Sequence, residues 1–117
     1  ERESLNVVSD QIGRPTYAKD LAVATIKIIN EVSGGKKLRG VYHYANKGVT
    51  NWFEFAQQIK INAGLSCELN PINTAQFPTP AKRPAYSVLA TQKIESAINI
   101  DIPSWEESLL ACQKMLG

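Results

Sequence analysis

Apolar residues along the chain switch between short continuous runs and a helical spacing. The run LNVV at 5–8 is typical of a β-strand. Beyond it, apolar positions recur at intervals of three and four, which predicts a helix that ends at Gly34 and Gly35. We expect the following stripe of that helix to be buried: Leu21, Ala24, Thr25, Ile28, Ile29 and Val32.

A polar segment, SDQIGRPT at 9–16, separates this strand from this helix. Gly13 permits a positive φ, whereas Pro15 fixes its own φ and favours an extended conformation for Arg14. Thr16 is predicted to cap the helix through its hydroxyl. So rigid a segment is either a well-made connection or a loop that holds a polar ligand.

The middle of the chain predicts two more strands around a second helix. GVYHYA at 40–45 and CELNPI at 67–72 are rich in β-forming residues. Asn51 and Glu54 have the spacing of a capping box, and Gly64 is expected to end the helix. The predicted apolar face of this helix is Trp52, Phe55, Ala56, Ile59 and Ala63.

The segment 73–88 carries three prolines that forbid a regular element: Pro78, Pro80 and Pro84. Long irregular segments inside a compact domain tend to be functional or disordered. Three apolar side chains favour an ordered segment laid over the surface: Phe77, Tyr86 and Leu89.

Two further helices are predicted, one over 91–97 and one beginning at Ser104, whose partner Glu107 completes a second capping box. The core face of the last helix is expected to be Trp105, Leu109, Cys112 and Leu116. Short strands alternating with about four helices predict a small α/β unit over 1–117. So small a sheet is expected to pack against a domain outside the chain. The start at Glu1 rather than Met leads us to expect that the chain is part of a longer protein.

Composition excludes several classes of partner. The 117 residues carry 13 basic and 11 acidic side chains that are spread along the chain, which gives no case for nucleic acid or a membrane surface. No apolar run approaches the roughly 20 residues that span a bilayer. Cys67 and Cys112 form neither a disulfide framework nor a metal-ligand spacing, so we expect a cytoplasmic protein.

Catalytic and cofactor motifs are missing from the sequence. There is no G-x-G-x-x-G or G-x-x-x-x-G-K-[ST] pattern, and GGKK at 34–37 fits a helix end. No Tyr is followed by a Lys four positions later, so a Tyr/Lys hydride-transfer pair cannot be local. His43 is interpreted as a structural histidine rather than a general base. We therefore predict no catalytic, cofactor-binding or metal-binding residue in this chain.

What remains is binding chemistry in two polar loops, 9–16 and 77–87. They hold the following basic and polar groups: Gln11, Arg14, Thr16, Lys82, Arg83, Tyr86 and Ser87. A guanidinium can bind a phosphate with two hydrogen bonds, and an amide or hydroxyl can bind sugar hydroxyls. AKRP at 81–84 fits a solvated basic turn as well as it fits a phosphate clamp.

Three segments in series, VVSDQIGRPTYAKDLA, GVYHYANKGVTNWFEFAQQI and FPTPAKRPAYSVL, resemble the C-terminal substrate-binding part of dTDP-4-dehydrorhamnose reductases. The resemblance implies an extended short-chain dehydrogenase/reductase. In such enzymes an N-terminal Rossmann domain, absent from this chain, binds NADPH or NADH and carries the Tyr/Lys pair. They reduce dTDP-4-dehydro-L-rhamnose to dTDP-L-rhamnose for bacterial surface polysaccharides. The fragment alone should be inactive, and its partners would be the dTDP-sugar, the missing domain and, in a homodimer, a second copy.

Carried over residue by residue, the resemblance implies a substrate site formed by Gln11, Gly13, Pro15, Thr16, Arg83 and Ser87. Arg83 is expected to face the diphosphate, while Gln11 and Thr16 shape the sugar or nucleotide side of one cleft. The side that faces the missing domain should expose apolar side chains.

Two other functions fit the same fold. One is a non-catalytic interaction module similar to the regulatory subunit of methionine adenosyltransferase, which an upstream sequence without the Tyr/Lys pair would favour. The other is a sister nucleotide-sugar reductase or epimerase that acts on a different sugar.

Overall fold

Four helices and two small sheets make up the fold of residues 3–117, the part of the chain that the computed structural model describes. The strands are β1 (Ser4–Val8), β2 (Ile12–Gly13), β3 (Thr50–Asn51) and β4 (Glu68–Ile72). The helices are α1 (Ala18–Ser33), α2 (Trp52–Ala63), α3 (Gln92–Ile98) and α4 (Trp105–Leu116), with a 3₁₀ turn at Thr74–Gln76. This arrangement confirms the predicted α/β class.

The longer sheet joins the strands that were predicted at 5–8 and 67–72, about 60 residues apart. β1 and β4 pair in parallel, from Ser4 opposite Glu68 to Val8 opposite Ile72. The pairing continues for one residue because the Ser9 amide donates to the Ile72 carbonyl over 2.8 Å. Helix α2 packs on both strands. The opening loop therefore leaves the sheet at a fixed point beside the start of the segment 73–88.

The apolar core lies between α1, α3 and the segments that flank α3. Its buried centre is Ile94, Ile98 and Ile102. Partly buried side chains surround it: Ile28, Leu38, Tyr42, Tyr44, Ala97 and Ile100. Each fully buried aliphatic side chain contributes roughly 1.5–3 kcal/mol to stability. This cluster therefore stabilises the packing of α1 against α3 and its flanking segments.

A buried amide joins three distant parts of the chain. Asn46 is fully buried, and its Oδ1 accepts a hydrogen bond from the Tyr17 amide at 2.8 Å. Its Nδ2 lies within hydrogen-bonding distance of Asp20 Oδ2 (2.8 Å), Ser108 Oγ (3.0 Å) and the Pro103 carbonyl (3.1 Å). The Ser108 hydroxyl also donates to Asp20 Oδ2. This network attaches the start of α1 to α4.

Helix starts follow the predictions in two places and depart from them in one. Asn51 Oδ1 accepts from the Glu54 amide, and Ser104 Oγ accepts from the Glu107 amide, so both predicted caps are confirmed. The predicted Thr16 cap is wrong. Helix α1 begins two residues later, and its N-cap, Tyr17, makes no capping bond with its own side chain. The Asn46 amide, which is remote in sequence, binds the Tyr17 N–H instead.

The predicted buried stripe of α1 is mostly wrong. Only Ala24 is buried on this helix, and Leu21, Ile29 and Val32 are 44–56% exposed. Helix α1 meets α3, and Ile28 is the α1 side chain that packs against the core cluster. The remaining apolar positions have no covering element within residues 3–117. On α4 the predicted core residue Leu116 is exposed as well, at 84%.

The predicted strand at 40–45 is not formed among the described residues. Its side chains alternate as expected, because Tyr42 and Tyr44 pack on the core whereas Val41 and His43 are exposed. No backbone hydrogen bond joins this segment to another element of residues 3–117. The sequence pattern of a strand is present without a partner strand. The predicted absence of regular structure in 73–88 also needs one correction, the 3₁₀ turn Thr74–Gln76.

Gly48 lies where the chain turns tightly against α4. Its φ is +96°, and a Cβ at this position would lie 2.8 Å from Trp105 Cδ1. The close approach arises because the Lys47 amide donates to the Pro103 carbonyl and the Trp105 amide donates to the Lys47 carbonyl, both over 2.9 Å. Any side chain at residue 48 therefore meets a backbone penalty and a steric one.

We predict that Gly48→Ala lowers the free energy of unfolding by about 2–4 kcal/mol, the sum of a left-handed backbone penalty and overpacking against Trp105. Gly64→Ala is the matched control, since Gly64 has a φ of +66° and nothing within 4 Å of its Cβ position. That control should lose only about 1–2 kcal/mol. Urea unfolding of both variants measures the difference, and equal losses would contradict the steric argument.

Candidate functional site

The short strand β2 lies between two segments that are distant in sequence. On one side Ile12 and Gly13 pair antiparallel with Asn51 and Thr50 of β3. On the other side the Ile12 amide donates to the Ala85 carbonyl, and the Ser87 amide donates to the Ile12 carbonyl, each over 2.8 Å. The middle of the predicted polar loop is thus the central strand of a three-segment arrangement. This pairing brings the two proline-containing loops together.

A hollow of about 180 Å³ opens where these segments meet. Five of the six predicted substrate residues line it: Gln11, Gly13, Pro15, Arg83 and Ser87. Its other lining residues are Ile12, Arg14, Thr50, Asn51, Trp52 and Pro84. Thr16 does not line the hollow; its exposed hydroxyl donates to the Arg14 carbonyl at 3.3 Å. The structure brings together the predicted set apart from Thr16.

Gly13 contributes close packing and not the left-handed backbone that glycine permits. Its φ is not positive, so the expected left-handed conformation is wrong. A Cβ at residue 13 would instead lie 3.0 Å from Ser87 Oγ. That hydroxyl donates to the Ile12 carbonyl at 3.3 Å. The absence of a side chain at Gly13 lets the two loops approach closely.

A second hollow of about 430 Å³ adjoins the first. It is lined by Asn6, Val7, Val8, Gln11, Trp52, Phe77, Thr79 and Arg83. Gln11, Trp52 and Arg83 line both hollows, so the two form one cleft with these three side chains at the junction. Ligand sites for small molecules commonly have volumes of about 300–1,000 Å³; the second hollow lies within this range by itself, and the first extends it.

Arg83 is an exposed cation whose hydrogen-bond donors are not used by the described residues. Its side chain is exposed, and it makes no hydrogen bond or ion pair with other residues between 3 and 117. Lys82 beside it lines neither hollow. The guanidinium therefore presents its donors to the junction of the cleft, where a phosphate or carboxylate could accept two of them.

Hydrogen bonds attach Gln11 and Asp10 to Thr74, the first residue of the 3₁₀ turn. Gln11 Nε2 donates to Thr74 Oγ1 at 3.3 Å, while Thr74 Oγ1 donates to Asp10 Oδ1 at 2.6 Å. The Thr74 amide donates to Asp10 Oδ2 at 3.0 Å. These two bonds, the hydroxyl first, stabilise the ionised carboxylate and lower the pKa of Asp10 from its ordinary value of 3.8.

Arg14 has a structural contact beside the cleft. Its Nη1 donates to the Leu89 carbonyl at 2.6 Å, and its buried Nε has no hydrogen-bond partner among the described residues. Nearby, the Thr91 hydroxyl donates to Glu95 Oε2, and Lys47 Nζ lies 3.3 Å from Glu95 Oε1. Both contacts lower the pKa of Glu95, the Thr91 hydrogen bond most. Arg14 adds a smaller electrostatic contribution in the same direction. Arg14 thus ties the opening loop to the chain before α3.

Trp52 is the site residue that sequence reasoning missed. Its helical spacing predicted a core position, yet it is 50% exposed and lines both hollows. The available signal was its place directly after the Asn51 cap, at the first position of α2.

Other chemistry is limited among the described residues. His43 is exposed, and residues 3–117 contain no group of three His, Cys, Asp or Glu side chains arranged to hold a metal ion. None of the described helices combines the length and apolar character that crossing a membrane requires. The cleft therefore offers binding groups: a cation, amides, hydroxyls and aromatic rings.

Comparisons with known proteins concern the family and the fold of this chain. The family model described as the RmlD substrate binding domain matches residues 1–116. The chain is 42% identical to the spore coat polysaccharide biosynthesis protein SpsK of Bacillus subtilis, over 92% of this chain and 36% of SpsK. It is 38% identical to a dTDP-4-dehydrorhamnose reductase of Sinorhizobium fredii, over 91% of this chain and 38% of that protein.

Two solved structures match the fold. One is a dTDP-4-dehydrorhamnose reductase of Bacillus anthracis in complex with NADP, with a TM-score of 0.84 and 38% identity over 100% of this chain and 39% of that one. The other is an orthologue from Clostridium acetobutylicum, with a TM-score of 0.87 and 36% identity over 98% and 39%. The chain spans about two fifths of the length of the relatives it matches.

We predict that Thr74→Val raises the pKa of Asp10 towards 3.8, because the variant loses the hydroxyl that contributes most to stabilising the carboxylate. An NMR titration of the Asp10 side-chain carboxyl measures this. Since the native pKa is lowered, the stabilisation from Asp10 is present above pH 3.8 and is lost as the pH falls through the native pKa. Thr79→Val, whose hydroxyl binds the Ala81 carbonyl, should leave the Asp10 titration unchanged, and a shift there would contradict the assignment.

Proposed function

The chain belongs to the RmlD substrate-binding domain family, as its motifs predicted, and we propose that it supplies the nucleotide-sugar-binding part of a dTDP-4-dehydrorhamnose reductase. The complete enzyme would reduce dTDP-4-dehydro-L-rhamnose to dTDP-L-rhamnose with NADPH or NADH. The observation that carries this proposal is the shared cleft, in which two proline-containing loops present Gln11 and Arg83 on the same hollow.

Each lining residue has a role that suits a sugar joined to a nucleoside diphosphate. Arg83 would bind the diphosphate, because its guanidinium is exposed at the junction of the cleft and matches phosphate oxygens. Gln11, oriented by Thr74, would bind a hydroxyl or carbonyl of the ligand. Gly13, Pro15 and Ser87 would form the wall of the cleft, since close packing of the two loops sets its width.

The chemical step would belong to residues outside this chain. The sequence has neither a glycine-rich dinucleotide loop nor a Tyr/Lys pair, so its residues do not fit a nicotinamide cofactor and no step of hydride transfer follows from them. What this chain would do is hold the nucleotide-sugar and orient its keto carbon. By itself it would be inactive.

A second domain would cover the apolar face of α1. At about 100° per residue, Leu21, Ile26, Ile29 and Val32 lie on one side of this helix, which we call the outer face, and all four are 44–57% exposed. Of the four charged residues on α1, Asp20, Lys27 and Glu31 lie elsewhere on the helix, and Lys19 lies next to Ile26 at the edge of this face. So large an apolar face supports docking against another body.

The unpaired segment 40–45 supports the same neighbour. It has the alternation of a strand, and its backbone has no hydrogen-bonded partner strand within residues 3–117. Backbone amides and carbonyls in a packed protein are normally paired. We propose that this segment adds to the edge of a sheet in the nucleotide-binding domain of the complete protein. Both cysteines are free, which supports a cytoplasmic site of action.

Assay of the complete protein with dTDP-4-dehydro-L-rhamnose and NADPH tests the proposed function. Formation of dTDP-L-rhamnose supports it. Activity only with another 4-keto nucleotide-sugar would assign the chain to a sister reductase. Absence of any reduction, together with an upstream sequence that lacks the Tyr/Lys pair, would favour the non-catalytic module.

We predict that Arg83→Ala in the complete enzyme raises KM for the nucleotide-sugar by roughly 10- to 100-fold, as expected from losing a charged hydrogen bond of about 1.5–3 kcal/mol. Arg83→Lys should recover only part of the loss, because an ammonium cannot reproduce a two-bond contact. Lys82→Ala is the matched control, since its side chain lines neither hollow. Unchanged KM and turnover in Arg83→Ala would remove Arg83 from the site.

We predict that the amides of Val41 and His43 exchange slowly with deuterium in the complete protein, because strand pairing would protect them. The Lys82 amide, which makes no backbone hydrogen bond with the described residues, is the fast reference. Ile29→Asp, in the outer face of α1, should speed exchange at both amides by weakening the docking. Met115→Asp on exposed α4 should not. Exchange at Val41 as fast as at Lys82 in the unaltered protein would refute the proposed pairing.

A further inference from the structure

We propose that the second hollow is the subsite for the nucleobase, with Trp52 and Phe77 as its aromatic walls. This inference rests on the proposed function and adds two residues to the substrate set carried over from the family resemblance. Both side chains line the same hollow, and both are about half exposed, at 50% and 55%. A flat heteroaromatic ring is the part of a nucleotide-sugar that such walls bind, because bases stack on aromatic side chains.

Trp52 is held in place although half of its surface is exposed. Its ring meets Phe55 edge to face, with centroids 6.1 Å apart and an interplanar angle of 87°. Phe55 in turn lies 5.8 Å from Trp105, which is only 7% exposed. This chain of aromatic contacts connects the exposed indole to the buried start of α4. A ring with a fixed orientation loses little conformational entropy when a ligand stacks on it.

Phe77 is also held by its local backbone. It directly follows the 3₁₀ turn, where Asn73 and Gln76 form a reciprocal capping box, and its amide donates to the Thr74 carbonyl at 3.1 Å. Pro78 follows it and restricts the next φ. The exposed ring therefore stands on a fixed piece of backbone. Phe77 is thus exposed to solvent although hydrogen bonds fix its backbone.

The remaining lining suits an uncharged ring with polar edges. Val7 and Val8 from β1 supply apolar surface, and Asn6 and Thr79 supply an amide and a hydroxyl oxygen. The Asn6 side chain makes no hydrogen bond with other residues in the range 3–117, so its donors and acceptor face solvent or a ligand. Arg83 is the single charged residue among the side chains that line this hollow.

The order of the cleft matches the order of groups in a nucleotide-sugar. Arg83 lies at the junction of the two hollows, which is where the diphosphate lies between nucleoside and sugar. The larger, aromatic hollow would take the base with its deoxyribose. The smaller hollow, with Gln11, Asn51 and Ser87, would take the hydroxyl-bearing sugar.

The test measures binding of dTDP and of inorganic pyrophosphate to the complete protein by isothermal titration calorimetry. Phe77→Leu and Trp52→Leu should each weaken dTDP binding roughly 5- to 100-fold, the range given by loss of one base–aromatic stack. Inorganic pyrophosphate carries no base, so its binding should stay within twofold of the unaltered protein. Ile61→Ala, at an exposed position of the same helix as Trp52, is the control and should leave both affinities unchanged. Circular dichroism establishes that each variant is folded, and Phe77→Leu keeps the test valid if Trp52→Leu unfolds.

The outcomes separate this inference from the proposed function. An unaltered protein that binds no dTDP would contradict both. Tight dTDP binding that neither aromatic substitution weakens would overturn the base subsite and leave the proposed function standing. Equal losses for dTDP and pyrophosphate would also overturn it, because the aromatic residues would then act through the diphosphate contact. Selective loss of dTDP binding supports the inference.

Discussion

The hydrogen bonds on both sides of Ile12 are the constraint on which the site depends. One residue of β2 binds the chain at 85–87 through its own amide and carbonyl, while its other neighbour is β3 at the start of α2. Each of the three segments is too short to form a sheet alone. Paired, they place Arg83, Trp52 and Gln11 around one cleft without a long regular element. This is how a domain with so little sheet forms a cleft that is lined by polar groups.

A second polar constraint determines where α1 begins. Asn46 binds the Tyr17 amide and the Asp20 carboxylate, and so replaces a local cap with a remote one. A buried amide whose hydrogen-bonding groups are all engaged is stabilising, whereas the same amide with a missing partner would be costly. The geometry of α1 therefore depends on the turn at 46–48 and on Ser108 of α4. The opening loop is fixed in its middle, at Ile12, and again where it leads into α1, by Asn46.

Local signals predicted what local interactions determine. The caps at Asn51 and Ser104 involve residues three positions apart, so their spacing alone was sufficient. Thr16 failed as a cap because the competing partner, Asn46, is thirty positions away and has no signal in the local pattern. Gly13 was singled out for the wrong reason, since close approach to Ser87 depends on a pairing that only the folded chain contains. The shared hollow was predicted through the family motifs, and the contribution of Trp52 was not.

The wrong prediction on α1 and the strand prediction at 40–45 have one physical reason. An apolar helix stripe needs an element to cover it and a strand needs a partner strand, and the described residues supply neither. Because Asn46 follows the unpaired segment directly and also binds the residue before α1, the two uncovered surfaces are attached to each other through one buried side chain. A domain that docked on either surface would therefore affect the position of the opening loop, whose Ile12 and Pro15 line the cleft. In the proposed reductase, the contact between domains and the width of the substrate cleft would therefore depend on the same polar network.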